Sequence, residues 1–194
     1  WKCRKSSIHR RTYLFDYLYW TNSSGTTLEY YFKKDNPSES KIVEKAILEQ
    51  VKELLKVDGK KRALPGLEYI FNFFEEKNIP IALASSSPAD IIEVTLEAIG
   101  INEKFKIKRS AELEDFGKPN PAVFINTAKE MNISVENILV FEDSLNGTLA
   151  AKSAKMKCVS LPADHDFERA DFAIADMKLN SFLEFTETVF EAIS

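Results

Sequence analysis

Cysteine and histidine are scarce in this chain of 194 residues: Cys3, Cys158, His9 and His165 make up the whole supply. Two lone cysteines far apart in sequence form no disulfide framework, so a reduced, cytoplasmic setting is the default. So few soft donors also argue against a metal site built on thiolate and imidazole. No apolar run approaches the roughly 18 residues needed to span a membrane, and no secretory signal pattern opens the chain. Neither sign of charge dominates: Lys and Arg number 26 against 30 Asp and Glu, a formal net charge of −4. That balance gives no general attraction to nucleic acid, and the one basic cluster, residues 2–11, reads as a solvated end. Internal repeats and low-complexity tracts are absent. So is an initiator methionine, since the chain begins with Trp1, which is read as a processed product or an incomplete sequence. What remains, 44% hydrophobic and 29% charged residues, suits one sizeable globular core, or a core plus a small appendage.

Residues 1–56 and 64–194 differ in texture. The first segment is aromatic and irregular as far as Phe32. A helix then follows, with Ile42, Val43, Ala46, Ile47, Val51, Leu54 and Leu55 at three- and four-residue spacing and charges on the opposite face. Ser38 or Ser40 would cap it. The polar stretch 57–63 reads as a hinge. From Leu64 onward helices and strands alternate. A helix starts at Pro65-Gly66 and runs to Lys77, with its phenylalanines packed into the core, and a strand spans Ile79 to Ala84. A helix from Ala89 to Ile99 stops at Gly100, where a C′ glycine would stop it. An apolar stretch at Phe105–Ile107 leads to the loop Phe116–Pro121. Then come a helix over Ala122–Met131, a strand over Ile138–Phe141, a helix over Asn146–Lys155 and a strand over Lys157–Leu161. Phe172–Ala175 is expected as a last short strand and Ser181–Ile193 as a closing helix. Such alternation predicts an α/β fold, a parallel sheet flanked by helices on both faces.

The stretch Val140-Phe141-Glu142-Asp143-Ser144-Leu145-Asn146-Gly147 carries the strongest signal. A buried strand ends on two adjacent carboxylates and turns into a helix, with Asn146 and Gly147 supplying turn chemistry. Open α/β sheets bind ligands at the carboxyl ends of their strands, and paired carboxylates are the hard oxygen donors that Mg²⁺ prefers. Two further polar sites fall at similar punctuation: Ser85 at a strand end and Lys118 in the loop before a helix. A serine triplet, a loop lysine or a pair of helix-capping acids is weak alone. Together they supply what a phosphoryl group needs: a hydroxyl and N–H groups for its oxygens, an ammonium for developing charge and carboxylates for a divalent cation.

From Leu64 to about Phe185 the chain resembles the haloacid dehalogenase-like (HAD) superfamily, in particular its branch of β-phosphoglucomutase-like sugar-phosphate phosphatases. Ile81-Ala82-Leu83-Ala84-Ser85-Ser86-Ser87-Pro88 is similar to the second family motif, and Gly117-Lys118-Pro119-Asn120-Pro121 to the third. Phe141-Glu142-Asp143-Ser144-Leu145-Asn146-Gly147 is similar to the fourth, and Leu64-Pro65-Gly66 to the return from cap to core. The forms Ala-Ser-Ser-Ser-Pro and Glu-Asp-Ser-Leu-Asn-Gly resemble hexose-phosphate phosphatases most. The resemblance implies a Rossmann-type HAD-like core at 64–194 and a small helical cap at 1–56, incomplete at its N-terminal end and joined by the hinge at 57–63. It also implies that Ser85, Ser86, Lys118 and Asn146 bind the substrate phosphate, with Lys118 and Ser85 catalytic. Asp143 would bind Mg²⁺ directly and Glu142 directly or through water. For Asn146, capping the helix that follows is an equal reading.

The family's first motif, Asp-x-Asp-Gly, holds the attacking carboxylate and then the general acid–base. Residues 1–84 contain no Asp-x-Asp. In one reading, 12–19 form a degenerate first strand with Asp16 as nucleophile, leaving Leu18 where the acid–base belongs and Tyr19 where the glycine belongs. In the other, which the sequence favours, the motif lies about a dozen residues upstream of Trp1 and 12–20 belong to the cap. The expected function is a Mg²⁺-dependent, monomeric, cytoplasmic phosphatase of small phosphorylated metabolites, without nucleic-acid or membrane partners. The alternatives are a β-phosphoglucomutase-type phosphotransferase and an inactive HAD-like binding module.

Overall fold

The structure is a computed structural model that describes residues 12–16, 45, 49–50, 52–53 and 64–193; the expectations for Ser38, Ser40, the hinge and the basic cluster lie outside the described residues. The described chain divides into two units. One holds 12–16, 64–86 and 103–193, and the other holds 45, 49–50, 52–53 and 87–102.

The first unit is built on a sheet of 6 strands in the order β3-β2-β1-β4-β5-β6. These are β1 Thr12–Asp16, β2 Ile81–Ser85, β3 Ile107–Ser110, β4 Ile138–Glu142, β5 Lys157–Ser160 and β6 Met177–Lys178. Every neighbouring pair is parallel, so all carboxyl ends lie along one edge. Because side chains alternate along a strand, β2 and β4 sort their apolar residues between the two faces. Ala82, Ala84, Ile138 and Val140 join Val123, Phe124 and Ala128 of helix α3 (Ala122–Met131). Ala150 and Ala151 of helix α4 (Leu145–Ser153) complete that side. On the other face Phe141 packs edge-on against Phe74 of helix α1 (Leu67–Glu76) and Phe185, at ring-centroid distances of 5.9 and 5.0 Å. Burying all of β4 from both sides explains why its sequence is a continuous apolar run rather than an alternating one. Among the described residues no helix is long and apolar enough to cross a membrane.

The central strand corrects the segment boundaries read from the sequence. Thr12–Asp16 pairs with both β2 and β4, so these residues belong to the sheet and not to a cap spanning 1–56. Tertiary pairing decides the matter: between β2 and β4 a strand satisfies two rows of N–H and C=O groups that would otherwise be buried without partners. Two expectations at the carboxyl terminus are corrected too. The segment expected as a strand at Phe172–Ala175 is a 3-10 turn, Ala170–Ile174, and the last strand is Met177–Lys178. The expected continuous helix Ser181–Ile193 is a 3-10 turn, Phe182–Glu184, followed by helix α5, Glu187–Ile193. Asp176 anchors the short β6 edge, accepting from Cys158 N at 2.8 Å and Lys152 Nζ at 2.6 Å. Burial pushes its carboxyl up, but those two bonds together with the charges of Lys152 and Lys157 outweigh it and leave the group below its ordinary value.

In the second unit helix α2 spans Ala89–Ile99 and ends on Gly100 in the left-handed region, φ 82°, with its N–H returned to Leu96 O and Glu97 O. Only a residue without Cβ adopts that conformation at little cost. Lys45, Glu49, Gln50, Lys52 and Glu53 are helical, and all but Lys52 are exposed. Lys52 bridges Glu49 at 2.9 Å and Asp90 at 2.8 Å, and its ammonium draws the Asp90 carboxyl below its usual value.

Cys158 lies fully buried in β5, where burial first and the charge of Glu142 second push its thiol up to about 12. The thiolate is the reactive form, so at pH 8 only about one thiol in 10⁴ is ionised. Iodoacetamide at pH 8 is expected to leave Cys158 unlabelled in the folded protein and to label it after unfolding, as read by peptide mass mapping. Rapid labelling of the folded chain would contradict the burial.

Candidate active site

The strand order reverses direction of growth between β1 and β4, which makes their carboxyl ends the topological switch point of the sheet. Ligands of open α/β sheets settle in the crevice formed there. Register places Asp16 beside Glu142 across that junction, and Ser85 beside Ser110 one strand out. Four strands therefore deliver polar residues to one line of strand ends.

Glu142 ends β4 with no exposure at all. A buried carboxylate must be paired and hydrogen-bonded to persist as an ion, and this one is. Its Oε1 accepts from Lys118 Nζ at 2.6 Å; its Oε2 accepts from Ser144 Oγ at 3.0 Å and Ser144 N at 3.3 Å. Helix α4 begins directly over it. Ser144 is the N-cap, and its Oγ accepts from Gly147 N at 2.9 Å. That displaces the two sequence readings of this turn. Ser144, not Asn146, caps the helix, which starts at Leu145, and Gly147 is not a turn residue but sits inside its first turn. A side chain at Gly147 would place its Cβ 1.9–2.1 Å from the Glu142 carboxylate. The glycine is there so that the helix can close on the carboxylate.

Lys118 reaches this point from the loop between β3 and α3. Its side chain is 3% exposed. Besides Glu142, its ammonium donates to Ala84 O at 3.1 Å and stands 4.3 Å from the centroid of the Phe124 ring. The loop is fastened at its base by Glu114, whose carboxylate takes Arg109 Nε at 2.7 Å from β3 and Asn126 Nδ2 at 2.7 Å from α3. Near Lys118 the loop closes with Asn120 N on Gly117 O at 3.0 Å, and Asn120 Oδ1 receives Ala122 N at 3.0 Å as α3 begins.

Of the residues picked from sequence, Lys118 and Glu142 are thus in direct contact. Ser85 is buried at the end of β2, immediately after the carbonyl that Lys118 uses. Asp143 is half-buried just past β4, Ser86 is exposed just past β2, and Asn146 is exposed on α4. His165 is an exposed turn residue. Among the described residues no three Asp, Glu, His or Cys side chains cluster as a metal site. Glu142 ends β4 and Asp143 follows it, and Asp16 lies beside Glu142 by backbone register. The sequence motif implies that Ser144 and Asn146 fix the loop bearing the acids, and Ser144 does bond Glu142; the close approach at Gly147 and the ring beneath Lys118 are not legible in it. The cap itself follows a local rule, an N-cap serine three residues before its bonded N–H.

Comparison with known proteins bears on the same residues. The family model for haloacid dehalogenase-like hydrolases matches residues 13–155. Hexitol phosphatase B of Escherichia coli is 30% identical over 152 residues, covering 78% of this chain and 67% of that protein. Validoxylamine A 7'-phosphate phosphatase of Streptomyces hygroscopicus is 29% identical over 119 residues, covering 61% of this chain and 55% of that protein. This chain therefore spans between about half and two thirds of the length of these relatives. Among solved structures, β-phosphoglucomutase from Clostridium difficile superimposes with a TM-score of 0.78 at 18% identity, covering 95% of this chain and 97% of that one. At that identity the likeness speaks for the fold alone.

Proposed function

We propose that this chain, which belongs to the haloacid dehalogenase-like hydrolase family, hydrolyses phosphate monoesters of small phosphorylated sugars by way of an aspartyl-phosphate. The observation that carries this reading is the Lys118–Glu142 contact at the switch point. It brings a buried ammonium and a carboxylate, 24 residues apart in sequence, to the carboxyl end of the central strand. Phosphatases among the relatives, one of them named for hexitol phosphates, support the substrate class.

The chemistry assigns each group a task. Ser85 Oγ and the Ser86 N–H bind phosphate oxygens at the end of β2. Asp16, at the carboxyl end of β1, attacks phosphorus, so that an O–P bond forms to its carboxylate while the ester O–P bond breaks. Water then cleaves the acyl phosphate, releasing phosphate and restoring the carboxylate. Lys118 offsets the negative charge that grows on the phosphoryl oxygens, and does so most effectively because its pocket excludes water. Asp143, with Glu142 and Asp16, would hold Mg²⁺, which when bound neutralises phosphate charge and orients the ester for attack. Glu142 fixes Lys118 whether or not it also touches the metal. Position 18, where the family motif has its acid–base, is Leu18, so the departing oxygen takes its proton from solvent water, and the water that cleaves the acyl phosphate leaves one proton on the phosphate or to solvent.

The test is phosphate release by the full chain with Mg²⁺ from a panel of hexitol and hexose phosphates. Asp16→Asn and Asp143→Asn are each expected to lower the rate by at least roughly 10³-fold, the scale for loss of a nucleophile or its metal. Undiminished release by Asp16→Asn would remove Asp16 from the reaction, and no release by the parent chain would overturn the reading.

A further inference from the structure

Among the contacts that hold the Lys118 ammonium, one is unlike the hydrogen bonds. Glu142 Oε1 and Ala84 O take hydrogen bonds, whereas Phe124 presents its ring with the centroid 4.3 Å from Nζ. Phe124 is fully buried in the first turn of α3, within the same cluster as Ala84 and Val140. The face of an aromatic ring carries negative quadrupole density, and it attracts an ammonium most strongly where water is excluded. A leucine of similar volume would fill the core as well and offer no such attraction.

We propose that Phe124 is a positioning residue for the reaction: its π-face holds the Lys118 ammonium at the carboxyl ends of β2 and β4, where phosphoryl charge develops. This rests on the role given to Lys118 above. The ring suits the task because it steadies the cation without neutralising it. Glu142 alone would satisfy the ammonium with a full negative charge and leave less of its field for the substrate. A neutral quadrupole shares the holding with the carboxylate, and adds no negative charge that would offset the field reaching phosphate. Chain order adds economy, since Phe124 follows Lys118 by six residues and the loop fastened through Glu114 and Asn126 fixes both.

The ring can be tested without opening a cavity. Incorporating 4-fluoro-, 3,5-difluoro- and 3,4,5-trifluorophenylalanine at position 124 of the full chain withdraws π-density in steps at nearly constant volume. Each variant is assayed with Mg²⁺ and one hexitol phosphate, with para-nitrophenyl phosphate in parallel, beside Lys118→Met. We expect kcat to fall stepwise to about a tenth of the parent at three fluorines. KM and the melting temperature should stay near the parent values, and Lys118→Met should be inactive and indifferent to fluorination. A flat kcat series beside an inactive Lys118→Met overturns the role of Phe124 while leaving that of Lys118 in place. A fully active Lys118→Met overturns both. A melting temperature that falls in step with kcat would make Phe124 a packing residue only and would also overturn the proposal.

Discussion

Gly147→Ala is expected to destabilise the protein by about 1–3 kcal/mol and to cut phosphate release by roughly 10²-fold or more. Helix propensity alone predicts the opposite sign, because alanine inside a helix is favoured over glycine by about 1 kcal/mol. The deciding quantity is distance. The added Cβ would meet Glu142 Oε2, Cδ and Oε1 at 1.9, 2.0 and 2.1 Å, so the carboxylate must move. The carboxylate is held at one oxygen by Lys118 and at the other by Ser144. Moving it therefore displaces the ammonium or opens the first turn of α4. Urea denaturation and steady-state kinetics on the same preparation separate the two losses. Gly117→Ala is the control: nothing lies within 4 Å of a Cβ there, in the loop that leads to Lys118. Its stability should stay within about 0.5 kcal/mol of the parent. Shortening the acid in Gly147→Ala/Glu142→Asp should return stability without returning activity. A stable, active Gly147→Ala would show that helix and carboxylate do not make the close approach described.

Lys118→Met should cost about 3–5 kcal/mol of stability, because it strands a carboxylate that has no exposure. Adding Glu142→Gln removes that unpaired charge and keeps an acceptor for Ser144, so the double variant should recover most of the loss. Activity should follow neither stability value. Single and double variants alike are expected to fall by at least roughly 10²–10³-fold, since both lack the ammonium that meets phosphoryl charge. Folding energetics and catalysis thus separate within one pair, and a double-mutant cycle with denaturation and kinetic readouts measures both. Full recovery of activity in the double variant would confine the pair to a structural role. A single Lys118→Met as stable as the parent would contradict the burial of the pair.

Hydrophobic period made much of the core legible. The helices Ala89–Ile99 and Ala122–Met131 were read at their observed bounds, and the strands beginning at Ile138 and Lys157 differ by one residue at their ends. Three of them carry a strong local signal at one end: Gly100 after the first helix, Asn120-Pro121 before the second, and Glu142-Asp143 at the end of the first strand. The carboxyl-terminal tail misled because its apolar residues follow no helical or strand period. Phe172, Phe182 and Phe185 are all buried, yet short turns deliver them, and aromatic burial from a turn leaves no periodic trace. β6 is two residues long, too short to leave any pattern.

The first strand shows where sequence alone stops. Thr12–Asp16 is β-prone, but nothing local states which strands flank it, and the flawed match to Asp-x-Asp-Gly turned the reading toward the cap. Only long-range pairing, with Tyr13 beside both Ile81 and Leu139, makes it central. The candidate site divides in the same way. Sequence determined which chemical groups are present, Ser85, Lys118 and the Glu142-Asp143 pair, because strand ends and turns are local events with local signatures. Tertiary structure alone decided that Glu142 clasps Lys118, that Gly147 makes room for it and that Phe124 lies beneath the ammonium. Those contacts join residues whose proximity is set by packing across a sheet, and packing distances are written in no short stretch of the chain.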